Sequence, residues 1–147
     1  MPYCGMPPIY HVELVRRDGA ENIVLATSEQ AAVIIAKHLE KADREHFVVL
    51  MLDSVSRVIG INTVAVGTLL TAKIAGREVF KPAILANSAS IIVGHNHPSG
   101  DTAPSQSDLD MTALLSQAGH VLDIELIDHI IVGDGGMFTS LRRNGYL

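Results

Sequence analysis

Residues 91–108 read IIVGHNHPSGDTAPSQSD, and this stretch organises the rest of the chain. It begins with apolar, mostly β-branched residues, which are typical of a buried strand. Side chains alternate along a strand, so His95 and His97 are expected to leave the same face. Proline and glycine residues then predict a loop, and a helix is expected to begin at Ser105 with Asp108 in its first turn. The chain therefore turns back towards the two histidines.

Two imidazoles and one carboxylate can form a metal site. Asp108 falls on the same helical stripe as Met111 and Leu115, so its side chain is expected to face the body of the protein. Three protein ligands leave a fourth position open for water, which is the pattern of a catalytic zinc ion. The stretch therefore predicts a metal site formed by His95, His97 and Asp108.

Length and composition place the chain in a broad class. With 147 residues, 48% of them hydrophobic and 18% charged, it is expected to form one globular domain, residues 9–147, after an irregular arm, residues 1–8. The net charge of −5 disfavours nucleic acid as a partner, because nucleic-acid binding needs basic patches.

A single cysteine, Cys4, and the lack of a signal-like leader suit the cytoplasm. No apolar run approaches the roughly 20 residues that span a bilayer.

The hydrophobic pattern predicts an α/β fold with a mixed, curved sheet flanked by helices. Residues 46–52 are almost continuously apolar, as in a central strand that is covered on both faces. Thr27 and Gln30 form a capping box that opens a helix to about residue 42. Pro82 is expected in the first turn of a helix. The segment 67–76 has a less clear pattern, and residues 68–74 within it could be strand or loop. The other predicted elements are a hairpin of strands 9–15 and 22–26, a strand 58–66, helices 77–88 and 105–118, the latter ended by Gly119, strands 121–127 and 129–132, and a last strand 137–141 after an Asp-Gly-Gly turn.

Each part of the motif also has an ordinary structural interpretation. A His-x-His at a strand end is usually structural, and Ser105-x-x-Asp108 is a helix capping box in its own right. The order and the spacing of these residues, taken together, favour a metal site over the structural interpretations. Seven residues separate His97 from Ser105, and two separate Ser105 from Asp108.

This spacing, H-x-H-x7-S-x2-D, resembles the motif of the JAMM, or MPN+, metalloproteases. The segments HNHPSGD at 95–101, REVFK at 77–81 and DHIIVG at 128–133 are similar to the RadC-like branch in particular. The resemblance covers residues 9–147 and implies the MPN/JAMM architecture, which is similar to that of the cytidine deaminases. A zinc deaminase itself is disfavoured, because it needs a pair of cysteine ligands. RadC-like chains usually carry an additional N-terminal helix-hairpin-helix segment, and we expect this chain to be a short form without it.

The resemblance implies a role for each residue of the motif. His95, His97 and Asp108 would bind zinc and leave a position for water. Ser105 would donate a hydrogen bond to the oxyanion that develops during hydrolysis. A glutamate upstream of the motif would act as the general base.

The general base has two candidates in this chain. Glu45 is favoured because it precedes a central strand, which holds a side chain more rigidly than a helix start does. Glu78 stays an alternative, because it lies in one of the segments that carry the resemblance. His129 lies in another such segment, and it could support a metal ligand or simply pack in the core.

The motif predicts a zinc-dependent hydrolase that cleaves a peptide or isopeptide bond in a protein or peptide substrate. A binding or scaffold module of the MPN type is the alternative, although such relatives generally lose the metal ligands that this chain retains. A role as a DNA-repair-associated accessory protein rests on the history of the family alone, and the acidic charge disagrees with it. The sequence leaves open the identity of the substrate and whether the chain forms a homo-oligomer.

Overall fold

A mixed sheet forms the centre of the computed structural model, which describes residues 5–19, 22–67 and 74–147. Its strands are β1 (His46–Leu52), β2 (Val58–Val66), β3 (Ser90–Asn96), β4 (Glu125–Val132) and β5 (Phe138–Ser140). They lie in the order β2-β1-β3-β4-β5. β3 and β4 are parallel, whereas the other neighbouring pairs are antiparallel. The predicted mixed sheet is therefore confirmed.

Helices cover both faces of the sheet. They are α1 (Ser28–His38), α2 (Gly76–Leu85) and α3 (Gln106–Leu122). In β1, the odd-numbered residues from Phe47 to Met51 pack in one core with α2 and α3. The even-numbered residues from Val48 to Leu52 pack in a second core with α1. The nearly continuous apolar run is thus a central strand that is buried from both sides, and the α/β fold is confirmed.

Helix α1 begins with the predicted capping box. The Thr27 hydroxyl accepts a hydrogen bond from Gln30 N at 3.3 Å, and the Gln30 side chain accepts one from Thr27 N at 3.3 Å. The helix ends at His38, whereas the prediction carried it to about residue 42. The buried residue Leu39 caps the helix, and Ala42 N donates to the Leu39 carbonyl, so the chain continues as a turn.

The predicted hairpin of strands 9–15 and 22–26 is wrong. Residues 9–15 form no ladder with the described part of the chain, and their large apolar side chains are exposed. Val24 instead forms an isolated antiparallel bridge with Arg57, and Val58 N donates to the Ile23 carbonyl at 2.8 Å. The alternating pattern indicated strand propensity, but a strand also needs a partner edge, and residues 23–25 pair elsewhere.

The end of α3 differs from the prediction because Gly119 does not stop the helix. The helix continues to Leu122 and is ended by Asp123, which adopts the left-handed conformation at φ 55°. Residues 121 and 122 are therefore helical, and β4 is one continuous strand that begins at Glu125. A Cβ at position 119 would collide with the backbone oxygen of Ile124, so glycine is needed there for close approach rather than for a turn.

Pro82 lies inside α2 and not in its first turn, which corrects the prediction. The helix begins at Gly76, and Pro82 is buried near its C-terminal end. A proline there has no backbone N–H for the carbonyl four residues earlier, so one helical hydrogen bond is not formed. The Asp-Gly-Gly turn, Asp134–Gly136, and the last short strand were predicted and are present.

Parts of two predicted segments lie outside the described residues. They are residues 68–73 of the segment 67–76 and residues 1–4 of the arm, including Cys4. In the ranges that the structure describes, every helix is too short or too polar to cross a membrane.

The close approach at Gly119 predicts a stability defect in the Gly119→Ala variant. The added methyl group meets the Ile124 carbonyl and the Phe80 ring, so the free energy of unfolding should fall by about 1–3 kcal/mol. Gly76→Ala is the matched control, because its methyl group would make only an ordinary contact with Ala118 at 3.9 Å. Urea unfolding followed by circular dichroism measures both variants, and equal stabilities would contradict the explanation.

Candidate metal centre

Two imidazole rings meet where β3 ends. His95 is fully buried, and its Nε2 lies 3.0 Å from Nε2 of His97, which follows the strand. Nδ1 of His97 lies 2.8 Å from the Asp101 carbonyl, which can only accept, so this nitrogen carries the hydrogen. The Nε2 atom of His97 is therefore free to present a lone pair.

Asp108 brings a carboxylate to the same point. It lies in the first turn of α3 and is 2% exposed. Its Oδ1 is 3.4 Å from Nε2 of His95, and its Oδ2 is 3.4 Å from Nε2 of His97. The chain thus turns back as the loop and helix pattern indicated, and it places the carboxylate beside both rings.

A capping box orients this carboxylate. Asp108 Oδ2 accepts a hydrogen bond from Ser105 N at 2.8 Å, and the Ser105 hydroxyl accepts one from Asp108 N at 3.1 Å. Burial raises the pKa of Asp108, but the neighbouring His95 and the hydrogen bonds from Ser105 outweigh this effect. The pKa of this carboxyl group therefore lies well below its usual range. Capping and facing the histidines are compatible roles of the same side chain.

Glu45 lies next to the two histidines. One carboxylate oxygen of Glu45 and one ring nitrogen each of His95 and His97 all lie within 4.8 Å of one another, so these three residues could hold a metal ion. Burial raises the pKa of Glu45, while the two histidines oppose the rise. Glu78, the other candidate base, is instead half-exposed on α2 and pairs with Lys81 at 3.6 Å.

Asn96 fixes the backbone on both sides of Glu45, a role that the sequence motif did not predict. Its side-chain oxygen accepts from His46 N at 2.8 Å, and its amide nitrogen donates to the Arg44 carbonyl at 3.0 Å. Gly67 N donates to the Glu45 carbonyl at 2.7 Å. The central residue of the His-x-His motif therefore positions the glutamate. In the sequence, the only indication of this role is that an amide side chain lies between two candidate metal ligands.

His129 contacts His95 from behind. Its Nε2 lies 2.8 Å from Nδ1 of His95, and its Nδ1 lies 2.6 Å from the hydroxyl of Thr112 on α3. Burial in the core holds the pKa of His129 well below its ordinary value. Of the two interpretations left open by the sequence, support of His95 agrees with this contact. Thr112 was not singled out from the sequence.

The distances fit a bound cation. Ligand atoms about 2.0–2.2 Å from a tetrahedral ion lie roughly 3.3–3.6 Å from one another. The Nε2 atoms of His95 and His97 lie 3.0 Å apart, and each lies 3.4 Å from a different carboxylate oxygen of Asp108. Nitrogen lone pairs and carboxylate oxygens that face each other so closely need a proton or a cation between them. The donor set therefore fits a metal ion.

Comparisons with known proteins agree with this geometry. A family model described as "RadC-like JAB domain" matches residues 25–146. The chain is similar to UPF0758 proteins of Desulforudis audaxviator, with 43% identity over 88% of this chain and 56% of the relative, and of Shouchella clausii, with 46% identity over 84% and 53%. A UPF0758 protein of Caldanaerobacter subterraneus is 40% identical over 92% of this chain and 59% of its own length. The chain thus spans little more than half the length of these relatives.

The cluster predicts zinc binding that depends on His97. The purified chain should bind about one equivalent of zinc, and the His97→Ala variant should bind far less, because it removes one of the converging nitrogen atoms. His120→Ala is the matched control, since His120 is exposed on α3 away from the centre. Metal analysis after dialysis measures all three proteins. Full occupancy in His97→Ala would contradict the site.

Proposed function

Because the chain belongs to the RadC-like JAB domain family, we propose that it is a zinc-dependent metallohydrolase that cleaves a peptide or isopeptide bond. One observation carries the proposal. The start of β1, the end of β3 and the start of α3 bring a glutamate, two histidines and an aspartate to one point. Metal-assisted hydrolysis uses an electrophilic ion held by such ligands, a base, and a donor to the oxyanion.

In this proposal, His95, His97 and Asp108 hold the ion. Imidazole and carboxylate groups at tetrahedral spacing suit zinc, and three protein ligands leave one position open. The Oδ1 atom of Asp108 is the better ligand, because its Oδ2 already accepts from Ser105 N. When bound, zinc would lower the pKa of a water molecule and polarise the carbonyl of the scissile bond.

Glu45 is the general base in this proposal. Its half-buried carboxylate has a raised pKa, which brings it closer to the working pH at which a base is efficient. It accepts a proton from the attacking water at a carboxylate oxygen and delivers it to the leaving amine. The Asn96 side chain holds its backbone in place for both transfers.

Ser105 is the donor to the oxyanion. Its oxygen already accepts from Asp108 N, which leaves the hydroxyl hydrogen available to donate outwards. Ser105 is exposed at the start of α3, so a substrate carbonyl can reach it. Removing one such donor typically raises the barrier by about 3–4 kcal/mol.

The substrate class is a protein or a peptide. A non-catalytic binding module would not need a buried carboxylate and two imidazoles to converge, since burying such groups costs free energy. The net charge of −5 also gives no support to DNA binding. Both observations favour the hydrolase over the two alternatives that the sequence left open.

The proposal predicts that Glu45→Gln retains zinc and loses turnover. Loss of a general base typically lowers the rate by about 10²–10⁴-fold, while the ligands stay in place. Glu78→Gln is the matched control and should keep the wild-type rate, because Glu78 lies outside the cluster. Turnover is measured on a panel of fluorogenic peptides and isopeptide-linked lysines. Activity that survives in Glu45→Gln but not in Glu78→Gln would move the base to Glu78.

Asp108→Asn separates two ligand sets. If Asp108 is the third ligand, this variant loses zinc while Glu45→Gln keeps it. If Glu45 is the third ligand, the result is reversed, since Glu45 also lies within reach of both rings. Isothermal titration with zinc distinguishes the two, and retention of wild-type affinity in Asp108→Asn would refute the assignment.

A further inference from the structure

A buried chain of hydrogen bonds runs behind His95. Nδ1 of His95 contacts Nε2 of His129 at 2.8 Å, and Nδ1 of His129 contacts the Thr112 hydroxyl at 2.6 Å. Thr112 in turn donates to the Asp108 carbonyl at 2.6 Å. The three side chains are at most 1% exposed, so water does not compete for these groups. The chain begins at one proposed metal ligand and ends on the backbone of another.

The hydrogens along this chain can be assigned from its last member. A carbonyl oxygen only accepts, so the single hydroxyl hydrogen of Thr112 points to Asp108. The Thr112 oxygen must then accept from Nδ1 of His129. A neutral imidazole has one hydrogen, so Nε2 of His129 accepts from Nδ1 of His95. Nε2 of His95 is left with its lone pair.

The surroundings of His129 favour the neutral ring that this assignment requires. His129 is fully buried, and the Phe47 ring packs edge-on against it at 5.7 Å between centroids. The neighbouring carboxylate of Asp128 does not serve the ring. It accepts from the His129 backbone N, from Ser140 and from Arg142 N. A charged imidazolium would thus be buried without its own counterion, which is costly.

We propose that Thr112 and His129 are positioning residues that fix the Nδ1–H tautomer of His95 and so aim its Nε2 lone pair at the metal site. The Nε2 atom faces His97 Nε2 at 3.0 Å and Asp108 Oδ1 at 3.4 Å. Without these hydrogen bonds to His129 and Thr112, His95 could carry its hydrogen on Nε2 and donate it to the Asp108 carboxylate, which would block the ligand position. Thr112 lies one helical turn after Asp108, so the same helix supplies the carboxylate and the group that orients its partner. The proposal rests on the metal-binding part of the proposed function.

The tautomer can be read directly in the metal-free protein. Long-range ¹H–¹⁵N correlation spectra of the uniformly labelled full chain distinguish protonated from unprotonated ring nitrogens. We expect the hydrogen on Nδ1 in both His95 and His129. A His95 ring without a hydrogen on Nδ1 would overturn the proposal. This measurement does not require zinc, so it separates the tautomer from the proposed function: a wild-type chain with the expected tautomer but no zinc affinity would refute the hydrolase alone.

Zinc titration of Thr112 variants gives the second readout. Thr112→Val keeps the shape of the side chain but removes the hydroxyl group, and loss of such a supporting contact typically weakens metal binding by about 10–100-fold. Thr112→Ser restores the hydroxyl and should restore the affinity. Thr63→Val is the matched control, because the Thr63 hydroxyl contacts the exposed His38 at 3.0 Å outside the centre.

The variants also separate positioning from a loss of structure. If Thr112→Val unfolds, its thermal transition and its spectra will reveal the loss of structure. In that case, the zinc affinity of Thr112→Ser and the His95 tautomer of the wild-type protein still test the proposal. Wild-type zinc affinity in a folded Thr112→Val chain would contradict the proposal. So would weak binding in Thr112→Ser.

Discussion

A buried carboxylate at the start of α3 is the interaction on which the rest of the site depends. Burying Asp108 at 2% exposure is costly unless every oxygen is paired. The Ser105 backbone pairs one oxygen, and the two imidazoles face both. The pairing holds only if the first turn of α3 lies against the end of β3. The loop between β3 and α3 brings the helix start to the end of the strand, and α3 then leads to β4, which is parallel to β3. The crossover connection between these two parallel strands therefore also assembles the centre.

The antiparallel register of β1 and β3 adds the glutamate. Phe47 lies opposite His95, so continuing the register beyond β1 places Glu45 opposite His97. Asn96 lies between the two histidines and bonds to the backbone on either side of Glu45. The base is therefore positioned by strand pairing, although it is distant in sequence from the rings it faces. A shift of one residue would turn Glu45 to the opposite face of the sheet.

Local patterns in the sequence predicted the parts of the site that adjacent residues build. The strand before His95, the turn after it and the capping box at Ser105 depend on short-range chemistry, and all three are present. The roles of Asn96 and Thr112 depend on contacts between distant elements, which no local pattern reports. The hairpin of residues 9–15 failed for the same reason, because strand propensity does not identify a partner edge. Gly119 was misread because a glycine needed for close packing looks like one that ends a helix.

The two histidines are held in different ways, so that one side of the centre is buried and the other is open to solvent. The His95 side chain is fully buried and has His129 behind it, whereas the His97 side chain is 18% exposed. His97 is held by the Asp101 carbonyl of its own loop, and that loop packs against the turn after β4 so closely that a side chain at Gly133 would collide with the Gly100 oxygen. A hydrolytic centre needs rigid ligands and also access for water and substrate. Burial supplies rigidity at His95, and a docked loop supplies it at His97 without closing the site to solvent.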